Sequence, residues 1–120
     1  MKNFATLLLL CAMCYVGTAQ AAAPADGSRL SERAKAMTRQ MAEKLPLSEG
    51  QYVKVRQLNL RLLTETAELR KQLANDATAL DEAMANVQMR YEWDLATILR
   101  PRQMALYDQT KLSMTAVNLR

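Results

Sequence analysis

Leu47-Ser48-Glu49-Gly50-Gln51 and Leu99-Arg100-Pro101-Arg102-Gln103 are two copies of one pattern, Leu-x-x-x-Gln. Each reads as the entrance to a helix, and between them they set the phase of the whole chain. In the first copy Ser48 is a good cap, because its hydroxyl can accept from the first free backbone N–H groups. Gln51 stands three residues on, where its amide reaches back to the cap backbone, so Ser48-x-x-Gln51 forms a capping box. In the second copy Pro101 takes the first helical position, where a missing N–H is no loss. Its cap residue is Arg100, whose side chain accepts no hydrogen bond.

Working outward from the first copy, a helix is predicted from Glu49 to about Ala74. Val55, Leu58, Leu62, Leu69 and Leu73 form one apolar stripe on it, and Val53, Leu60, Leu63 and Ala67 a second. Two stripes imply two contacts. The first stripe serves the chain's own core, and the second points to a dimer contact, with packing inside the chain as the other reading. Asn75-Asp76 is the best place for a tight turn, with a helix continuous through it as the other reading. A third helix follows from about Ala77 to Leu99, in which Ala77, Leu80, Met84, Val87 and Tyr91 make a heptad-like seam. Asp94 then falls on the seam, and Leu95 and Ile98 continue it. At 1.5 Å per residue these two helices are each roughly 35–40 Å long.

Upstream, a first helix is predicted from Ser28 to Lys44, with Leu30, Ala34, Met37 and Met41 on one face. Pro46 ends it, since the residue before a proline avoids helical angles. Downstream, a fourth helix runs from Pro101 to about Val117 with Met104, Tyr107, Lys111 and Met114 on one side. No alternating strand pattern occurs. The expected fold is all-α, four helices built around a long antiparallel helical hairpin. Charge supports that pairing. The third helix is mostly acidic (Asp76, Asp81, Glu82, Glu92, Asp94), while the first two are mostly basic.

The N-terminus reads as an export signal. Lys2 precedes the apolar run Leu7–Val16, and Ala19-Gln20-Ala21 resembles a cleavage site. Residues 1–21 are therefore expected to be removed, 22–27 to be a flexible leader and 28–120 to be the helical domain. Both cysteines, Cys11 and Cys14, lie in the signal, so the mature domain has none, and the chain has no histidine. Without Lys2, 15 basic residues face 12 acidic ones, a net charge of +3. Such a domain has no disulfide to staple it, and oligomerisation is a natural remedy for a small core.

Catalytic chemistry finds no foothold. Ser28, Ser31, Ser48 and Ser113 have no histidine to activate them, and there is no glycine-rich phosphate loop. The carboxylate pairs Asp81/Glu82, Glu92/Asp94 and Glu65/Glu68 read as solvated helix faces. The methionine pair Met37/Met41 offers thioethers that can hold Cu(I), but methionine is also an adaptable packing residue. No enzyme, cofactor, metal site or nucleic-acid partner is expected, and no membrane segment remains after signal cleavage. What remains is a binding surface of arginine, leucine and methionine, with an ordinary helical bundle whose arginines lie along its apolar surface as the other reading.

The two motif copies resemble the repeated LTXXQ motif of the Spy/CpxP-like periplasmic proteins, small exported helical proteins. Leu47 and Gln51 match the first motif with Ser48 in place of threonine. Leu99 and Gln103 match the second with Arg100 in that place. The likeness spans most of residues 30–110 and includes Tyr91-x-x-x-Leu95, Ile98-Leu99 and Tyr107. The resemblance implies a cradle-like antiparallel homodimer in the periplasm. It implies an ATP-independent, holdase-type chaperone for unfolded proteins in envelope stress. The alternative it implies is a regulatory adaptor or inhibitor on the periplasmic domain of an envelope-stress or metal-stress sensor. On the chaperone reading, Arg33, Arg39, Arg56 and Arg61 steer clients while Met37 and Met41 touch their apolar segments. The histidine-containing metal sites of some relatives have no counterpart here.

Overall fold

The computed structural model of the chain describes residues 26–118, so the expected signal and most of the expected leader lie outside it. Four helices follow one another: α1 (Asp26–Lys44), α2 (Glu49–Gln72), α3 (Ala77–Ile98) and α4 (Pro101–Asn118). Among the described residues there is no strand, and the chain is an all-α four-helix bundle.

The boundaries have local causes. α1 opens at Asp26, earlier than Ser28, so Asp26 and Gly27 belong to the helix and not to a leader. α1 closes at Lys44, and the Leu45 N–H still donates to the Met41 carbonyl at 2.7 Å before Pro46 ends the run. α2 stops at Gln72, short of Ala74. Leu73 adopts φ −112° and ψ 26°, and its carbonyl accepts from the Asp76 N–H at 3.1 Å, which tightens the turn. Asp76, counted in sequence among the acids of the third helix, caps α3: its carboxylate accepts from the Ala79 N–H at 3.0 Å.

α2 is the central helix. It packs against α1 on one side and α3 on the other, and α4 packs against α1 and touches α3. Two ion pairs fix the register of α2 on α3. Arg61 pairs with Asp94, and Glu65 accepts from Arg90 at 2.9 Å. As the number rises on α2 it falls on α3, so the two helices run in opposite directions. The second pair places the base on α3 and the acid on α2, so the match is not simply acidic against basic.

The main core lies at the motif end. Met41 and Leu45 of α1, Val55 and Leu58 of α2, Tyr91 and Leu95 of α3, Leu99, and Tyr107 of α4 meet there. Each fully buried Leu or Val contributes about 1.5–3 kcal/mol relative to exposure. A second, smaller cluster joins Ala34 and Met37 to Leu63, with Leu30, Leu60 and Leu62 against it. That cluster corrects one expectation. Leu60 and Leu63, assigned to a dimer contact on α2, instead pack on α1 within the chain. The α3 seam follows a gradient: Ala77 is exposed, Leu80 and Met84 are half-buried, and Val87, Tyr91 and Leu95 are buried.

Between the clusters lies a buried polar network. The Asn59 amide donates to the Thr38 hydroxyl at 3.0 Å and to the Met41 sulfur at 3.6 Å, and it accepts from the Tyr91 hydroxyl. Thr38 donates in turn to the Ala34 carbonyl at 2.7 Å. Among the described residues, no buried side-chain polar atom lacks a partner.

Candidate functional site

The two motif copies meet in space. Ser48 has the extended geometry of a cap (φ −70°, ψ 165°), and its hydroxyl accepts from the Gln51 N–H at 3.2 Å. The Gln51 Oε1 accepts from the Ser48 N–H at 3.0 Å, completing the expected capping box. The rest of the Gln51 amide reaches across the bundle. Its Nε2 donates to the Ile98 carbonyl at 3.1 Å and to the Gln103 Oε1 at 2.8 Å.

Gln103 repeats this from the other side. Its Oε1 accepts from the Arg100 N–H at 2.9 Å. Its Nε2 donates to the Pro46 carbonyl at 2.7 Å and to the Gln51 Oε1 at 3.0 Å. Pro46, Ser48 and Gln51 thus play the parts of Ile98, Arg100 and Gln103 in a local two-fold arrangement. Each amide uses both donors and accepts twice, which is its full capacity. Leu47 packs against the main core and Leu99 is buried within it. The motif residues therefore form a structural clasp between the α1–α2 corner and the α3–α4 corner. The clasp also explains the second copy. The lock needs only the backbone N–H of Arg100, and the first helical bond from the Met104 N–H to the Arg100 carbonyl is present at 2.9 Å.

The residues expected to meet clients divide into two groups. Arg33, Arg39 and Arg56 are exposed. Met37 and Met41 are not available for contact, at 9% and 4% exposure. Both are core residues, because the face of α1 that carries them is the face packed on α2. Arg61 is also committed elsewhere. Its guanidinium pairs with Asp94 and with Glu65 at 3.5 Å, and Glu65 joins Arg90. An arginine in such a chain has little freedom to steer an incoming charge.

Other surface features were not read from sequence. An open groove of about 410 Å³ lies between α2 and α3, lined by Thr64, Glu65, Glu68, Leu69, Ala83, Asn86, Val87 and Arg90. Its apolar floor is Leu69, Ala83 and Val87, and among the described residues α2 and α3 supply its whole lining. On the outer side of α3, Met89 is 55% and Trp93 72% exposed. The sequence signal for the pair was present, since both fall outside the core seam on the opposite side of the same helix.

Two phenols are perturbed. Burial pushes the Tyr91 hydroxyl well above its ordinary value of 10.0, helped by Tyr107 and Glu92. Burial raises Tyr107 as well, with Glu92 and Asp108 adding and a hydrogen bond from Gln88 opposing. Both stay neutral at any physiological pH, so they are packing and hydrogen-bonding groups. Among the described residues no group of three His, Cys, Asp or Glu side chains is placed to hold a metal ion. Among them, too, no helix is long and apolar enough to cross a membrane.

No curated protein matches the chain, and no solved structure does. Residues 19–107 match the family described as "Domain of unknown function (DUF4890)", a span that contains both motif copies and the clasp they form. The chain belongs to the DUF4890 family.

Proposed function

We propose that this protein is a periplasmic, ATP-independent holdase that works as a cradle-like homodimer and holds unfolded proteins during envelope stress. The observation that carries the reading is the open α2–α3 groove, with its floor of Leu69, Ala83 and Val87 and its charged rim of Glu65, Glu68 and Arg90. An apolar strip with a mixed charged border holds many sequences weakly and none tightly, which is what a holdase needs. The likeness of the paired motifs to the LTXXQ pattern supports the same reading. Arg39 and Arg56, exposed on α1 and α2, keep the steering role. The contact role passes from Met37 and Met41 to the groove.

The test is aggregation of a chemically denatured, unrelated client, diluted into buffer with the purified protein and no nucleotide. Protection is expected, with capture slowing as salt screens the arginines. Ala83→Phe fills the groove and is expected to reduce protection while leaving the helical circular dichroism intact. Protection that is insensitive to Ala83→Phe would remove the groove from the mechanism. If no client is protected, the chaperone reading fails. The alternative is then an adaptor or inhibitor that binds one folded sensor domain stoichiometrically.

A further inference from the structure

Tryptophan is among the more buried residues of folded proteins, and a single one left in water is an anomaly. Trp93 is the only tryptophan of the chain, and it is 72% exposed on the side of α3 opposite its core seam. It is not isolated. Glu82, Asn86, Met89, Trp93 and Ala96 on α3, with Arg100 just past its end, are spaced four, three, four, three and four apart. All six are exposed. This is a heptad stripe without a partner, on a helix whose other side already carries one.

We propose that this stripe is the face on which a second copy of the chain docks, α3 against α3 in antiparallel, about a two-fold axis level with Tyr91. The stripe's own sequence selects the occupant. A two-fold at that level puts Met89 against the partner's Trp93, and Trp93 against the partner's Met89. A thioether against an indole is a favourable contact. It puts Ala96 beside the partner's Asn86, small against medium, which lets the helices approach. It puts Glu82 opposite the partner's Arg100 at both ends. Within the chain neither Glu82 nor the Arg100 guanidinium has an ion pair among the described residues. A parallel pairing would instead stack Glu82 on Glu82 and Arg100 on Arg100. Charge thus favours one direction and one register, and a self-complementary patch is what a two-fold interface requires. The stripe also moves the dimer contact from α2, where Leu60 and Leu63 are occupied by α1, to α3. Asn86 borders both stripe and groove, so each groove would open beside the interface.

The inference rests on the homodimer in the reading above and not on its client binding. The test uses the purified protein over a wide concentration range, with mass by light scattering and emission from the single tryptophan. Dimer formation is expected to coincide with a blue shift, as Trp93 leaves water. Trp93→Ala is expected to weaken the dimer about tenfold or more, as the loss of a central aromatic anchor does. Glu82→Arg and Arg100→Glu are each expected to weaken it too, by placing like charges opposite each other. Mixing those two variants is expected to restore dimers, because both end pairs become attractive again only in the mixed species. A monomer at every concentration with unshifted emission would overturn both this face and the homodimer. A dimer with unshifted emission, unaffected by Trp93→Ala, would overturn the face alone. Failure of the mixture to dimerise better than either variant would overturn the register.

Discussion

Gln51→Ala is expected to be far more damaging than the loss of a capping residue. As half of a capping box, Gln51 would serve only the Ser48 N–H, an exposed group that water can satisfy. In the clasp it makes three more hydrogen bonds in partly buried surroundings: to the Ile98 carbonyl at 3.1 Å, to the Gln103 Oε1 at 2.8 Å, and from the Gln103 Nε2 at 3.0 Å. At about 1 kcal/mol net for each partly buried bond, truncation costs about 3 kcal/mol. Ser48→Ala, which removes a cap and touches nothing else, costs about 1 kcal/mol. Against a total stability of about 5–15 kcal/mol, the difference is large. Gln103→Ala should match Gln51→Ala, because the two amides play equivalent parts. The double variant should fall short of the sum of the singles by about 2 kcal/mol, since two bonds are counted in both. Urea unfolding followed by far-ultraviolet circular dichroism measures all four values. The reasoning is refuted if Gln51→Ala is no worse than Ser48→Ala, or if the two glutamine substitutions add independently.

Arg100→Thr restores a cap hydroxyl while leaving the backbone N–H that Gln103 uses. It should stabilise the fold by up to about 1 kcal/mol, measured in urea at concentrations where the chain is monomeric. Asn59→Leu should destabilise by about 1–3 kcal/mol, because it leaves the buried Tyr91 hydroxyl and Thr38 short of partners. Adding Tyr91→Phe should recover part of that loss, whereas additive losses would show the network to be energetically idle. Tyr91 and Tyr107 keep their protons in the folded state after the unfolded chain has begun to lose them at the ordinary value of 10.0. Their contribution is therefore complete below pH 10 and declines as pH rises above it. Thermal midpoints across the alkaline range should fall, and Tyr107→Phe should make that fall shallower.

Much of the bundle was legible because helix signals are local. Ser48 and Gln51, Pro46, Asn75-Asp76 and Pro101 each act within a few residues, and each marked a boundary to within a turn. The apolar stripe Leu30, Ala34, Met37, Met41 was also read correctly as one face. The error lay in giving that face a second duty. A stripe that packs α1 on α2 cannot also lie open to a client, and the burial of Met37 and Met41 follows from the periodicity itself. Arg61 was misjudged for a different reason. Its partner Asp94 is set by the pairing of α2 with α3, which no local pattern fixes in register, whereas Glu65 is the neighbour one turn on along its own helix. Asn59 gave no signal at all, because one polar residue beside a leucine stripe looks like a solvated position until three helices close over it.

The clasp was half legible, and its chemistry explains which half. Two glutamines at the same offset from two helix starts were visible, but a single copy accounts for itself as a cap. Only the pair shows why the residue must be glutamine. Each amide accepts from its own cap N–H and from the opposite amide, and donates to the opposite amide and to the carbonyl two residues before the opposite cap. Glutamate keeps both acceptors but offers no donor to the Pro46 or Ile98 carbonyl. Asparagine has the same groups on a chain one methylene shorter, so it reaches its own cap or its opposite number but not both. The amide pair itself uses the positions between leucine and glutamine only through the backbone N–H of the cap residue. That is why Ser48-Glu49-Gly50 in one copy can stand as Arg100-Pro101-Arg102 in the other. The clasp ties the ends of α1 and α3 to the starts of α2 and α4 without a disulfide or a metal. Residues 26–118 contain neither cysteine nor histidine, which leaves the amide pair and the core beneath it to hold the two corners together.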